Sequence, residues 1–124
     1  MTGLTTCGFV LALAVGLGAF GAHGLKNHLS SDALSWWETA TNYHFWHGLA
    51  LGLVALAQAH QDNSTVLRWS RRLFIVGLVL FCGSLYIMAL TNFRWLGMIT
   101  PLGGTAFLIG WCCFGLAFRN HRRP

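Results

Sequence analysis

At 124 residues, with 55% apolar side chains, 9% charged ones and a mean hydropathy of +0.56, the chain has too few charges to clothe a soluble globule of its size. Its net charge of +5 sits in short clusters beside four long stretches without any Asp, Glu, Lys or Arg. That pattern excludes a dedicated nucleic-acid surface and makes lipid the solvent. The charge-free stretches run Met1–Leu25, Thr39–Gln61, Leu73–Phe93 and Trp95–Phe118. A hydrocarbon core about 30 Å thick takes roughly 20 helical residues, because each span must satisfy its own backbone N–H and C=O groups. Barrel strands would alternate apolar and polar residues, whereas Leu73–Leu80 is apolar on every face.

The first span, residues 4–24, ends in Gly16, Gly18, Gly21 and Gly24. It lacks a basic n-region and is long for a signal h-region, so it is expected to stay as a span. Leu4-Thr5-Thr6 before Cys7 makes a poor lipidation box. The connection Lys26–Glu38 holds Ser31-Asp32, N-cap chemistry ahead of Ala33, Leu34, Trp36 and Trp37, so a helix is predicted to start there and run into the second span, residues 39–60. The two indoles belong at headgroup level. Gly48 and Gly52 form a GxxxG within this span.

A basic loop, Asp62–Arg72, leads to the third span, residues 73–92. Asn92–Trp95 then predicts a tight hairpin into the fourth, residues 96–118, with Gly103 and Gly104 near its start. Thr100-Pro101 allows two starts: either Thr100 caps a helix whose first turn holds Pro101, leaving Trp95–Ile99 irregular, or the helix begins earlier and kinks; the cap is favoured. Close backbone approach through small residues supplies helix contact in lipid, so Gly16, Gly21, Gly48, Gly52, Gly103 and Gly104 are the expected packing positions.

Arginine sets the orientation. Arg68, Arg71, Arg72, Arg119, Arg122 and Arg123 fall on one side of a four-span layout, with Lys26 and Arg94 on the other. The predicted fold is therefore all-α, a single membrane-spanning four-helix bundle over residues 1–124 with both termini cytoplasmic. The basic loops are contacts for anionic membrane lipids.

Cys7, Cys82, Cys112 and Cys113 all lie in predicted spans without a CxxC pair, which makes them small apolar residues rather than disulfides. The chemistry-bearing residues collect on the extracytoplasmic side: His23 ends span one, Tyr43, His44 and His47 begin span two, Tyr86 lies in span three, and Glu38 stands at the water boundary. Tyr43 and His47 share a face at i, i+4. Ionisable groups in a span face the bundle interior, and the candidate set His23, Tyr43, His47, Glu38 and Tyr86 has three readings: an interhelical hydrogen-bond cluster, metal or haem ligands, or a proton or solute path. The hydrogen-bond cluster is preferred, with no metal and no cofactor expected, since no cysteine or carboxylate stands at the histidines' depth. His28, His60 and His121 fall in or near loops.

Gly18-Ala19-Phe20-Gly21-Ala22-His23-Gly24-Leu25, Trp37-Glu38-Thr39-Ala40 with Tyr43 and His47, Phe81-Cys82-Gly83-Ser84-Leu85-Tyr86, and Ile99-Thr100-Pro101-Leu102-Gly103-Gly104 followed by Gly110-Trp111 carry a likeness over nearly the whole chain. The sequence resembles the DUF423 family, which takes in bacterial YgdD- and YwdK-type proteins and the eukaryotic transmembrane protein 256. The resemblance implies a small four-helix inner-membrane protein without an assigned activity. Cys82 stands where that family more often has Ser, and His44 where it often has Gln, which weakens any metal role for either. A bundle this small offers no water-exposed nucleophile, base and oxyanion set, so no enzyme is expected. The favoured function is a non-enzymatic accessory or assembly subunit in the bacterial inner (plasma) membrane, in contact with lipids and with other membrane subunits or copies of itself. The alternative is a small transporter or channel using the extracytoplasmic His/Tyr cluster.

Overall fold

The protein is described by a computed structural model covering residues 2–119, and every regular element among them is helical. Helix α1 runs Thr2–His23, α2 Ser31–His60, α3 Thr65–Gly77, α4 Gly83–Thr91 and α5 Thr100–Leu116. A π-helical turn, Leu78–Cys82, joins α3 and α4 into one rod, and a 3₁₀ turn, Arg94–Met98, leads into α5. Three segments are long and apolar enough to cross a membrane: Gly3–His23, Thr65–Thr91 and Arg94–Leu116. Helix α2 has the length, with 30 residues, but carries Asp32, Glu38, Asn42, His44, His47 and Gln58. It is also the most enclosed helix, packing on α1, α3, the π turn and α4 and burying side chains from Ala33 to Val54. Its His44 and His47 are buried while Phe45, Trp46, Leu49, Leu53 and Leu56 stay exposed, the division a lipid solvent favours.

Local chemistry sets the boundaries. Ser30, one residue before the Ser31-Asp32 pair, caps α2: its Oγ accepts the Ala33 N–H at 3.1 Å. Ser64 caps α3 in the same way through Leu67 N–H at 3.2 Å, so α3 begins at Thr65 and most of the expected basic loop is helix. Leu67, Ser70 and Phe74 are buried while Arg68, Trp69 and Arg72 face outward, the Arg72 guanidinium lying 5.4 Å from the Trp69 ring centroid. Asn92 ends α4 in the left-handed region, φ 60°, with its N–H on the Met88 carbonyl. Thr100 is the first residue of α5 and caps nothing; its hydroxyl meets Ser84 Oγ at 2.6 Å, and Ser84 donates onward to the Phe81 carbonyl at 3.0 Å. Pro101 does occupy the first turn of α5; the segment before it is a regular 3₁₀ turn rather than irregular, lying at the surface with Trp95 and Met98 exposed and Leu96 alone of its residues buried in the core.

Two antiparallel pairs build the molecule. In the first, Gly48 and Gly52 of α2 press against Leu11 and Cys7 of α1, and Gly21 of α1 lies against the Trp37 ring. In the second, Gly103 of α5 sits on the backbone of the π turn: a Cβ there would stand 2.8 Å from Phe81 Cα. Gly77 meets the Phe107 ring, and Gly110 the Phe74 ring. Gly104 is looser, with a virtual Cβ 3.8 Å from the Phe81 ring. Gly16 joins neither interface, since nothing lies within 4 Å of a Cβ at that position.

Candidate functional site

Two histidines on successive turns of α2, His44 and His47, reach different neighbours. His47 is 5% exposed and enclosed by rings: it stacks on Phe107 at a centroid distance of 3.6 Å, lies parallel to Tyr43 at 5.8 Å, and receives the edge of Phe74 at 5.7 Å. Its Nδ1–H donates to the Tyr43 carbonyl at 2.9 Å, and its Nε2 accepts from the Trp111 indole N–H at 3.1 Å. Those partners assign the neutral Nδ1–H tautomer, with both ring nitrogens satisfied. A metal ion or a second proton at Nε2 would have to displace Trp111.

His44, three residues earlier, turns toward α4 and places Nδ1 2.9 Å from the Tyr86 hydroxyl. The Tyr86 ring packs on Trp37 at 4.7 Å, and the Trp37 N–H donates to the Leu17 carbonyl of α1 at 2.8 Å. Two hydrogen bonds, bridged by the Trp37–Tyr86 ring contact, thus tie α2 to α4 and to α1, while the His47–Trp111 bond ties α2 to α5. A further tie, Ser70 Oγ to the Gly110 carbonyl at 2.8 Å, joins α3 and α5 with Ser70 fully buried. Neutral, paired groups are the form in which polar atoms persist in a low-dielectric interior.

The candidate residues therefore fall into separate places. Tyr43 and His47 are together; Tyr86 belongs with His44; His23 is exposed at the end of α1; Glu38 is exposed on a different groove, with Lys26. Depth also differs from the expected outer edge. Gly48 lies against Leu11 and Val10, so His47 is level with the middle of α1. The cause is the early start of α2: by Thr39 the helix has already made about two turns. Among the described residues no three His, Cys, Asp or Glu side chains converge in a way that could hold a metal ion.

Trp111 and Trp37 are the participants that sequence reasoning left out of the site. A signal existed for Trp111, because an indole N–H in mid-span needs an acceptor, and imidazole is among the few acceptors available there. A groove of about 560 Å³ between α2 and α5 exposes one side of this box, lined by Tyr43, Trp46, Phe81, Leu108 and Trp111 among others. It presents rings and aliphatic carbon around one imidazole bonded at both nitrogens.

Comparison with known proteins gives the family. Residues 17–104 match a family model described as "Protein of unknown function (DUF423)". The UPF0382 membrane protein SSP2132 of Staphylococcus saprophyticus is 52% identical over 99 residues, 80% of this chain and 81% of its own. A UPF0382 membrane protein of Staphylococcus epidermidis is 48% identical over 105 residues, covering 85% and 84%. The UPF0382 membrane protein YwdK of Bacillus subtilis is 46% identical over 99 residues, 80% of each chain. No solved structure matches the chain. With the matched region extending from the end of α1 through Gly104, and with three segments built to cross a bilayer, the chain belongs to the DUF423 family and is an integral membrane protein.

Proposed function

We propose that the protein is a non-enzymatic accessory subunit of the bacterial inner (plasma) membrane: a four-helix bundle crossing the bilayer four times, both termini cytoplasmic, that docks on a larger membrane complex. One observation carries the docking role. Gly8, Ala12 and Gly16 repeat every four residues along α1, all three are exposed, and no atom lies within 4 Å of a Cβ at Gly8 or Gly16. The paired glycines elsewhere are already used inside the molecule, so this small-residue stripe is the place where a helix from another chain can approach closely. A transport role draws no support from the histidines, of which His23 is exposed and His47 is bonded at both nitrogens.

The test is recovery of native complexes after mild detergent extraction. Wild type is expected to copurify with a larger membrane protein, and the Gly8→Leu/Gly16→Leu double variant to be made and extracted normally but alone. A wild-type protein that emerges as a monomer, or only with copies of itself, removes the docking role.

Sidedness has its own support. The antiparallel pairing gathers the start of α1, the α2–α3 connection and the end of α5 at one end, with Arg68, Arg71, Arg72 and Arg119, against Lys26 and Arg94 at the other. Arg122 and Arg123 lie outside the described residues. A single cysteine at Asn63, in a background with the four native cysteines replaced, is expected to resist an impermeant maleimide in intact cells, and one at Asn27 to react with it. The reverse labelling pattern overturns the orientation.

A further inference from the structure

A groove of about 400 Å³ opens between the C-terminal end of α1 and the first turns of α2. Its floor is small, Gly18, Gly21 and Ala22, and Trp37 forms a wall, with Lys26 and Glu38 both among the lining residues. Among the described residues the ion pair present is Arg94 with Asp32, so Lys26 and Glu38 border one groove without neutralising each other. Lys26 lies three residues beyond the apolar segment Gly3–His23, the position expected of a headgroup-level lysine.

We propose that this groove binds the headgroup of a phospholipid bearing both a phosphate and a primary ammonium, the phosphatidylethanolamine class. The ammonium of Lys26 meets the phosphate, and the Glu38 carboxylate accepts N–H hydrogen bonds from the lipid amine. A trimethylammonium head has no N–H to give, and its usual recognition is by aromatic faces. Here the one aromatic wall, Trp37, is engaged by Tyr86 at 4.7 Å and Phe20 at 6.2 Å, and its indole N–H is held by Leu17. A phosphatidylglycerol head has no cation for Glu38 and leaves that carboxylate beside a second negative charge. Below the rim, Phe45 and Leu49 follow Thr41 at four-residue steps on the same face of α2, 41% and 47% exposed, an apolar track for the acyl chain. The site is separate from the stripe of Gly8, Ala12 and Gly16, so it stands or falls independently of the docking role.

The experiment uses the full chain, delipidated in detergent and titrated with phosphatidylethanolamine, phosphatidylcholine and phosphatidylglycerol of identical acyl chains, with bound lipid counted by native mass spectrometry. The expected result is occupancy by phosphatidylethanolamine about fivefold above either of the others, as a charge-assisted hydrogen bond confers. Glu38→Gln is expected to bring phosphatidylethanolamine down to the phosphatidylcholine level. Gly18→Leu should suppress binding, because Gly18 lines the groove and nothing lies within 4 Å of a Cβ there. Equal occupancy by the three lipids, a preference for phosphatidylglycerol, or an unchanged preference in Glu38→Gln each overturns the proposal. If Gly18→Leu cannot be extracted folded, the exposed Glu38 variant alone decides.

Discussion

Replacing Gly103 by Ala is expected to destabilise the folded protein by about 3 kcal/mol, near the upper end of the usual cost of overpacking. The new methyl group would lie 2.7 Å from Phe81 Cβ and 2.8 Å from Phe81 Cα, and closer still to the Phe81 backbone nitrogen. A backbone cannot rotate away as a side-chain tip can, so the α5 rod has to lift off the π turn. Lifting it also stretches the Ser84–Thr100 hydroxyl pair and exposes the seam between Gly77 and Phe107. Gly104→Ala is the control one residue on. Its methyl meets the Phe81 ring at 3.8 Å, an ordinary contact, and Ala gains up to about 1 kcal/mol over Gly in helix propensity. Unfolding midpoints in detergent should separate the two variants widely, with Gly104→Ala equal to wild type or above it. If both fall together, α5 does not seat on the π turn as described.

Sequence reasoning could not distinguish those two glycines, nor either of them from Gly16. All three are small residues in apolar helices, and which one meets a neighbour is decided by rotation about the helix axis. The all-helical, membrane-embedded character was legible because stretches without charge are so long relative to anything a soluble core requires. Charge did not locate the helix boundary. Arg68, Arg71 and Arg72 ride on α3 with long side chains that reach water while Leu67, Ser70 and Phe74 turn inward, so the helix starts well before the charge-free stretch. The start of α2 was legible despite Asp32 and Glu38, because Ser31-Asp32 marked a cap and the helix does begin at Ser31.

The polar residues divided for a related reason. Spacing at i, i+3 and i+4 identifies neighbours on one helix, yet His44 and His47 address α4 and α5 respectively. Glu38 is likewise led by its place on α2 to Lys26 and the groove at the end of α1, not to the histidines. What joins the helices is therefore a set of local ties between particular pairs. No continuous polar path links His23 to His47 in the described residues, because His23 is exposed on the rim and His47 is walled by Phe74, Phe107 and Tyr43.

If the tie between α2 and α5 is structural, it should appear as a coupling energy between His47 and Trp111. His47→Phe keeps a ring on Phe107 but leaves the Trp111 N–H without its acceptor, at an expected cost of about 1–3 kcal/mol. Trp111→Phe orphans the His47 Nε2 lone pair and gives up the indole's contact with Phe74 at 4.8 Å, for a cost in the same range. The double variant has neither orphan, so its loss should fall short of the sum of the two by roughly 1 kcal/mol, within the span measured for interhelical hydrogen bonds in lipid. Unfolding free energies from steric trapping in bicelles would read this directly, and additivity to within about 0.3 kcal/mol means that the bond does not form. The same cycle separates function from fold. A hydrogen bond that only holds α5 in place predicts that partner recovery falls in step with stability across both single variants and the double variant. A histidine that moved protons or ligated a metal predicts lasting loss of activity in every variant lacking the imidazole, however stable the bundle.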